Sequence, residues 1–508
     1  MLGVVGSVTL LAAVTYALAR PADERSPTTP AVLPPAAASG PTSLATTTTS
    51  TIVVAPPPAV AWHPCNGTHQ CASLDVPLDY AAPSGPHIAI ALERRPAGTT
   101  RRIGSLVINP GGPGESGILN LSKDLALLPP GVLARFDVIA FDPRGVGQSS
   151  PVHCEGGSRG GPSPDPVPTT PAGEDALLAV DRAYAAACLH GSGQILLDHV
   201  GTVDVARDLE SLRRAVGDPG LTYLGLSYGT LLGATYAGLF PRNVRAMVLD
   251  GALDPSLTMA DLAGAQAKGF QDALDAFFGW CAGNGACAWR PGPDPHGAFE
   301  ALVAAVRRRP LAVGARQVGP QEFYTGTFAT LYARSFWPSL GRALAAVTAG
   351  DGSSMLGLYD GYERTGDPSF SGDANNAVTC LDHPVPRDPS LYFQRAAEAR
   401  RLAPDFGPLF AWGALTCAVW PAHDAQARPV ASISAPGSPP IVVVGTTRDP
   451  ATPYAWAQAL ARQLAHGVLL TRVGEDHVAI FSSSCVRAFD ETYLVTGVAP
   501  ATGTVCPS

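Results

Sequence analysis

Gly225-Leu-Ser227-Tyr-Gly229 sets a serine between two glycines in the pattern G-x-S-x-G, after the short apolar run Leu221-Thr-Tyr-Leu224 and before a small-residue segment through Ala237. Strand, tight turn and helix in that order make a nucleophile elbow. The glycines leave room for a strained backbone, the turn lifts the serine Oγ above a sheet, and the helix N-terminus faces the negative charge that develops on attack. A serine hydroxyl is a weak nucleophile until a base takes its proton, and the base needs an acid to hold its tautomer. Asp449 and His477 follow Ser227 in that order, each just beyond an apolar run, Ile441-Val-Val-Val444 and Val468-Leu-Leu-Thr-Arg-Val473. Asp476 competes with Asp449, but a side chain adjacent in sequence is badly placed to reach Nδ1 of its neighbour. His477 alone would read as an ordinary loop histidine. Thr452, three residues after Asp449, either orients that carboxylate or caps a following helix.

Acyl transfer also needs N–H donors aimed at the developing oxyanion. Asn109-Pro-Gly-Gly-Pro-Gly114 follows the apolar run Leu106-Val-Ile108. Proline has no N–H, so Gly112 N–H, together with Tyr228 N–H from the elbow, is the expected pair. By itself the stretch is a plain Gly/Pro turn; the order of Ser227, Asp449 and His477 gives it this role.

The elements that must position these groups are legible as strands with loops at their carboxyl ends. Leu74 to Leu78 and His87 to Leu92 open the folded part. Leu106–Ile108 runs into the Gly/Pro loop, and Phe136–Phe141 runs into Asp142-Pro-Arg-Gly-Val-Gly-Gln-Ser149. Continuous apolar strands ending in Gly-rich loops suit a parallel sheet covered by helices on both faces. Val203, Ala206, Leu209, Leu212 and Val216 predict a helix over 201–216. After Val244–Leu249 the next comparable strand begins only at Ile441, and the intervening Leu262, Phe270, Leu274, Phe277 and Phe299, Leu302, Val303, Val306 carry helical periodicity. The expected architecture is an α/β-hydrolase fold: a mostly parallel central sheet flanked by helices, with a large helical cap inserted after the sixth core strand. Its parts are residues 62–255 (core), 256–437 (cap) and 438–508 (core).

Ahead of them, residues 1–19 are uncharged and apolar and end in Ala17-Leu-Ala19, as a signal peptide or a short membrane anchor would. Residues 20–61 are rich in Pro, Thr and Ala, with too few large apolar side chains to fold, and read as a disordered linker. Ten cysteines, an even number, agree with a secreted or envelope-associated protein in an oxidising compartment. Neighbouring positions suggest the pairs Cys65/Cys71, Cys154/Cys188, Cys281/Cys287, Cys380/Cys417 and Cys485/Cys506, and spacings of six residues fit zinc knuckles poorly. A net charge of −8, with no run of Lys or Arg, excludes an electrostatic footprint for nucleic acid.

Taken together, Asn-Pro-Gly-Gly-Pro-Gly-x-Ser-Gly117, Asp142-x-Arg-Gly-x-Gly-x-Ser149, Gly-x-Ser-Tyr-Gly-Thr230, Asp449-Pro-x-Thr-Pro453 and Gly-x-x-His477 resemble the secreted tripeptidyl aminopeptidases of actinobacteria, relatives of proline iminopeptidase, from about residue 62 to the end. The resemblance implies a helical cap, no cofactor, peptide substrates with a free amino terminus, and release of di- or tripeptides; the segment and linker at 1–61 would allow membrane or cell-wall association, and the cysteine spacing gives no metal site. Glu115 departs from the small residue common in the family at that position. Burying an ammonium needs a carboxylate, and Glu115 and Asp382 are the candidates. A small-molecule esterase or amidase would use the same triad, since the elbow does not encode substrate; a non-catalytic, wall-bound binding module is the more distant alternative.

Overall fold

The computed structural model describes residues 59–155, 164–363, 368–383, 385–422 and 432–508. The apolar segment at 1–19 and most of the linker at 20–61 lie outside these residues. Structure is already in place at Val60, whose N–H donates to Ala215 O, and at Trp62, under the Arg94 guanidinium.

Twelve strands occur among the described residues: β1 (His63–Pro64), β2 (Gln70–Pro77), β3 (His87–Arg95), β4 (Gly104–Asn109), β5 (Phe136–Phe141), β6 (Leu221–Leu226), β7 (Val244–Asp250), β8 (Leu311–Val313), β9 (Arg316–Val318), β10 (Ile441–Thr446), β11 (Gly467–Arg472) and β12 (Val505–Cys506). Ten form one sheet in the order β1-β2-β3-β5-β4-β6-β7-β10-β11-β12, and β8 and β9 pair as a separate hairpin. The first strands pair antiparallel; from β5 through β12 every neighbour is parallel. Burial follows from that. Every residue of β4, β5, β6 and β10 is buried, because helices cover both faces, whereas in β2 buried Leu74 and Val76 alternate with exposed Ser73 and Asp75.

Two apolar layers sandwich the sheet. Helices Thr202–Ala215, Tyr228–Leu239 and Tyr454–Gln463 cover one face; Gly117–Leu125, Pro130–Arg135 and Ser484–Thr496 cover the other. A third core lies in the helices between β7 and β10, where Phe270, Phe328, Tyr332, Phe406 and Phe410 pack ring against ring. This helical layer also takes in Leu178, Tyr184 and Cys188 of the helix Pro171–Ser192, which lies between β5 and β6. Tyr184 OH donates to Asp373 at 2.7 Å and Thr416 to Asp181 at 2.9 Å, so the layer over the sheet is assembled from two separate excursions of the chain. The Ala-rich helix has no sharp apolar stripe, and alanine favours a helix without announcing which side it buries.

All described cysteines are in disulfides, and the pairs are the five sequence neighbours.

Candidate active site

Ser227 sits between β6 and the helix Tyr228–Leu239 with φ +53° and ψ −122°, a conformation that L residues rarely adopt and that is held here by the strand before it and the helix after it. The flanking glycines are required by close approach: a Cβ on Gly225 would lie 2.3 Å from Gly229 O, and one on Gly229 would lie 2.7 Å from Asn109 O. Ser227 N–H donates to Asp250 O at the end of β7, at 2.9 Å.

His477 Nδ1 is 2.9 Å from each carboxylate oxygen of Asp449. A carboxylate only accepts, so Nδ1 carries the proton and Nε2 is the basic nitrogen. Asp449 is itself held rigidly: Oδ1 accepts from Ala451 N–H and Thr452 N–H at 2.9 and 2.8 Å, and Oδ2 accepts from Thr452 Oγ1 at 2.8 Å. Thr452 Oγ1 is also 3.2 Å from His477 Nδ1, so this threonine touches both members of the pair. His477 Nε2 is buried and has no hydrogen-bond partner, and His477 lines the same cavity as Ser227. Asp476 points elsewhere: its carboxylate accepts from Arg334 N–H and Arg472.

The His477 loop hangs on two supports that the sequence reading did not single out. Asp250, fully buried, accepts from Ala479 N–H at 2.9 Å and Ile480 N–H at 2.8 Å, and burial pushes its carboxyl up to about 6. Between them and His477, Val478 adopts φ +64°, costly for a β-branched residue. His477 N–H donates to Tyr332 O of the helical layer at 2.8 Å. A legible signal for Asp250 was its place at the carboxyl end of a core strand.

The Gly/Pro loop is buttressed from both sides. Asp142 accepts from Ser116 Oγ at 2.6 Å and from Gln148 N–H at 2.9 Å, and Arg144 forks onto Asp208 with two bonds of 2.7 Å, so the Asp142–Ser149 motif is a brace. From above, Ser371 N–H donates to Gly114 O and Asn375 Nδ2 to Pro113 O. Gly112 has φ +100° and lines two cavities that reach Ser227.

Those cavities differ in size and lining. The larger, about 520 Å³, is walled by Gly112, Glu115, Asp124, Ser227, Tyr332 and His477. The smaller, about 30 Å³, is walled by Gly112, Ser227, Tyr228, Gln266, Asp382 and His383. The two candidate carboxylates are thus divided between them. Glu115, buried, accepts from Asn120 Nδ2 at 2.8 Å in the large cavity, where burial also pushes Asp124 up to about 7. Asp382 accepts Thr202 N–H at 2.8 Å and Thr202 Oγ1 at 2.5 Å; burial outweighs these bonds and holds its carboxyl up at about 7. Among the described residues the one grouping with metal-ligand spacing is Cys65, Cys71 and Glu93, and its two cysteines are joined in a disulfide.

A parallel sheet in this order, with serine at the elbow after β6, acid in the loop after β10 and histidine in the loop after β11, defines an α/β hydrolase. Residues 104–293 match the family model described as alpha/beta hydrolase fold, and residues 403–506 match that of TAP-like protein. The chain is 38% identical to the serine protease Hip1 of Mycobacterium tuberculosis over 88% of this chain and 91% of that one. It is 35% identical to carboxylesterase B of Mycobacterium tuberculosis, over 86% of each, and 34% identical to the tripeptidyl aminopeptidase of Streptomyces lividans, over 86% of this chain and 83% of that one. The chain belongs to the TAP-like family of α/β hydrolases.

Proposed function

We propose that the chain is an exported serine aminopeptidase that releases short peptides from free amino termini. Ser227 attacks the scissile carbonyl, His477 Nε2 takes the Oγ proton and returns it to the leaving amine, and Asp449 keeps the imidazole in the tautomer this needs. Gly112 N–H and Tyr228 N–H stabilise the oxyanion, and water then resolves the acyl-enzyme. The observation that carries this reading is the Asp449–His477 hydrogen bond, which leaves Nε2 buried and unpartnered on a residue that lines the same cavity as Ser227. Relatives named as a tripeptidyl aminopeptidase and a serine protease support peptides as substrates.

The larger cavity has room for a short peptide, which the smaller has not, and Glu115 on its wall is the favoured anchor for the substrate ammonium. Five disulfides support export to an oxidising compartment, and no helix of the described residues is long and apolar enough to cross a membrane. Cleavage of free and amino-acetylated tripeptide p-nitroanilides tests the proposal: the free form should be preferred, and Glu115→Gln should raise its KM by about 10- to 100-fold, the worth of a lost charge-assisted bond. Equal cleavage of both forms would favour the second reading, an esterase, which the relative named carboxylesterase B supports.

A further inference from the structure

A residue that walls the small cleft beside Ser227 carries an acceptor without a donor. Gln266 lies on the helix Met259–Gly283, is 3% exposed, and donates through Nε2 to Ala451 O at 2.8 Å. A carbonyl only accepts, so this bond fixes which end of the amide is nitrogen. The other end, Oε1, is buried with no partner, on a residue that walls the cleft. Leaving a buried carbonyl oxygen unpaired is costly, and such an orphan asks for an explanation. Asp382 adds a carboxyl to the same wall, Leu253 and Leu262 add apolar surface, and Thr379, His383 and Thr452 also line it, beside the Gly112 and Tyr228 N–H groups assigned to the oxyanion. Beyond the oxyanion, the orphan Oε1 of Gln266 calls for a group that donates.

Its position decides which part of a substrate that group belongs to. His477 must protonate the leaving amine, so the scissile nitrogen lies in the larger cavity, which His477 lines and which, with Glu115 on its wall, also takes the peptide backbone back to its ammonium. The small cleft is walled by Ser227 and Tyr228 without His477, so what enters it is a side branch at the attacked carbonyl and not the leaving amine. Its volume of about 30 Å³ compares with about 10–15 Å³ for one water, room for the tip of a small side chain and no more.

We propose that this cleft receives the side chain of the residue whose carbonyl is attacked, that it selects a small side chain bearing a hydrogen-bond donor, serine or threonine, and that Gln266 Oε1 is the specificity-determining acceptor. The inference deepens the peptidase reading and depends on it for the direction of the substrate chain. Removing the acceptor leaves a donor-bearing side chain without its partner, while alanine loses nothing.

Two substrate series separate the two readings: Ala-Ala-X p-nitroanilides with free amino termini, and N-acetyl-X p-nitrophenyl esters, whose activated leaving group lets Ser227 acylate whether or not it cuts amides. With X as Ser, Thr, Ala, Leu or Phe, the wild-type protein should favour Ser and Thr over Ala by about tenfold in kcat/KM, the value of one hydrogen bond to a buried acceptor. Leu and Phe should be poorer still. In Gln266→Leu the Ser-to-Ala ratio should fall to one or below, and Gln266→Met, of similar volume, should do the same; because the ratio is taken within one variant, a general loss of activity cancels. A preference for Leu or Phe in the wild type, or a Ser-to-Ala ratio unchanged in either variant, overturns the proposal. So does a rise in KM confined to free-amine substrates in Asp382→Asn, which would make the cleft the ammonium site. Failure of every peptide together with a selective ester series would sink the peptidase reading and leave the cleft assignment standing.

Discussion

Tyr332 O accepts the backbone N–H of His477 at 2.8 Å, and the tyrosine ring meets the imidazole edge-on with centroids 5.6 Å apart. The helical layer therefore does more than roof the cavity, because one of its carbonyls holds the proposed base in register. Tyr332 is buried among Phe270, Phe328 and Tyr362. Tyr332→Ala should cost about 3 kcal/mol in denaturant unfolding and lower kcat by about tenfold, read at a temperature where the variant is fully folded. Because Tyr332→Ala keeps the carbonyl, unchanged turnover would show that the ring contact does not position His477.

Replacement of the proposed catalytic groups should separate chemistry from folding. Ser227→Ala and His477→Ala should each reduce kcat by about 10⁵ to 10⁶, and Asp449→Asn by about 10⁴ through the wrong tautomer. Labelling by a fluorophosphonate should disappear in Ser227→Ala. More than a tenth of wild-type turnover in that variant would mean another nucleophile.

Asp250 should act through the loop it holds. Asp250→Asn keeps one acceptor for Ala479 and Ile480 N–H and loses the other, so kcat should fall by about 10- to 100-fold with KM nearly unchanged, one lost bond to a charged group being worth about 1.5 to 3 kcal/mol. A change in KM alone would point instead to a rearranged substrate cavity.

Stability should depend on pH through Asp382. Its carboxyl, raised by burial from 3.8 to about 7, binds its proton more tightly in the folded chain. The contribution is fully present below the unfolded value and is lost as pH rises through about 7. Buried His383, lowered from 6.5 to about 4, has the opposite sense: its contribution is full above 6.5 and is lost as pH falls through about 4. Comparison of denaturation midpoints at about pH 5 and pH 8 in wild type and Asp382→Asn isolates the aspartate, and the wild type should gain about 1–3 kcal/mol relative to the variant at the lower pH. Parallel slopes would rule Asp382 out.

The disulfides Cys380–Cys417 and Cys485–Cys506 close loops of 37 and 21 residues. Replacing either pair by serine should lower stability by about 3 kcal/mol on the chain-entropy account. Non-reducing peptide mapping should recover both bridges, and free thiols at these positions in protein from an oxidising medium would contradict the pairing.

Local sequence was enough to specify the eight longer strands of the ten-stranded sheet, though not the two-residue β1 and β12, together with the elbow and the order of Ser227, Asp449 and His477. Each depends on neighbours in the chain: apolar runs buried on both faces, glycines where a Cβ would collide, and an acid or base at the carboxyl end of a strand. The cysteine pairs were legible for the same reason, since each joins neighbours in the order of cysteines. Sequence could also name Glu115 and Asp382 as carboxylates of interest, but not that they face different cavities, because that depends on how the segment at 369–375 and the helix Gly372–Asp382 dock on the Gly/Pro loop. Tyr332 and Gln266 were decided by tertiary packing alone, and Asp250, though marked by its place at the end of a core strand, met Ala479 and Ile480 only through it. Gln266 stands on the face of its helix that carries Leu262 and Phe270, one polar residue in an apolar stripe, and only the fold brings it against Ala451 and turns its amide oxygen into an unanswered acceptor. Short-range pattern reports which groups can do chemistry; long-range contacts decide which of them meet and what they leave unsatisfied.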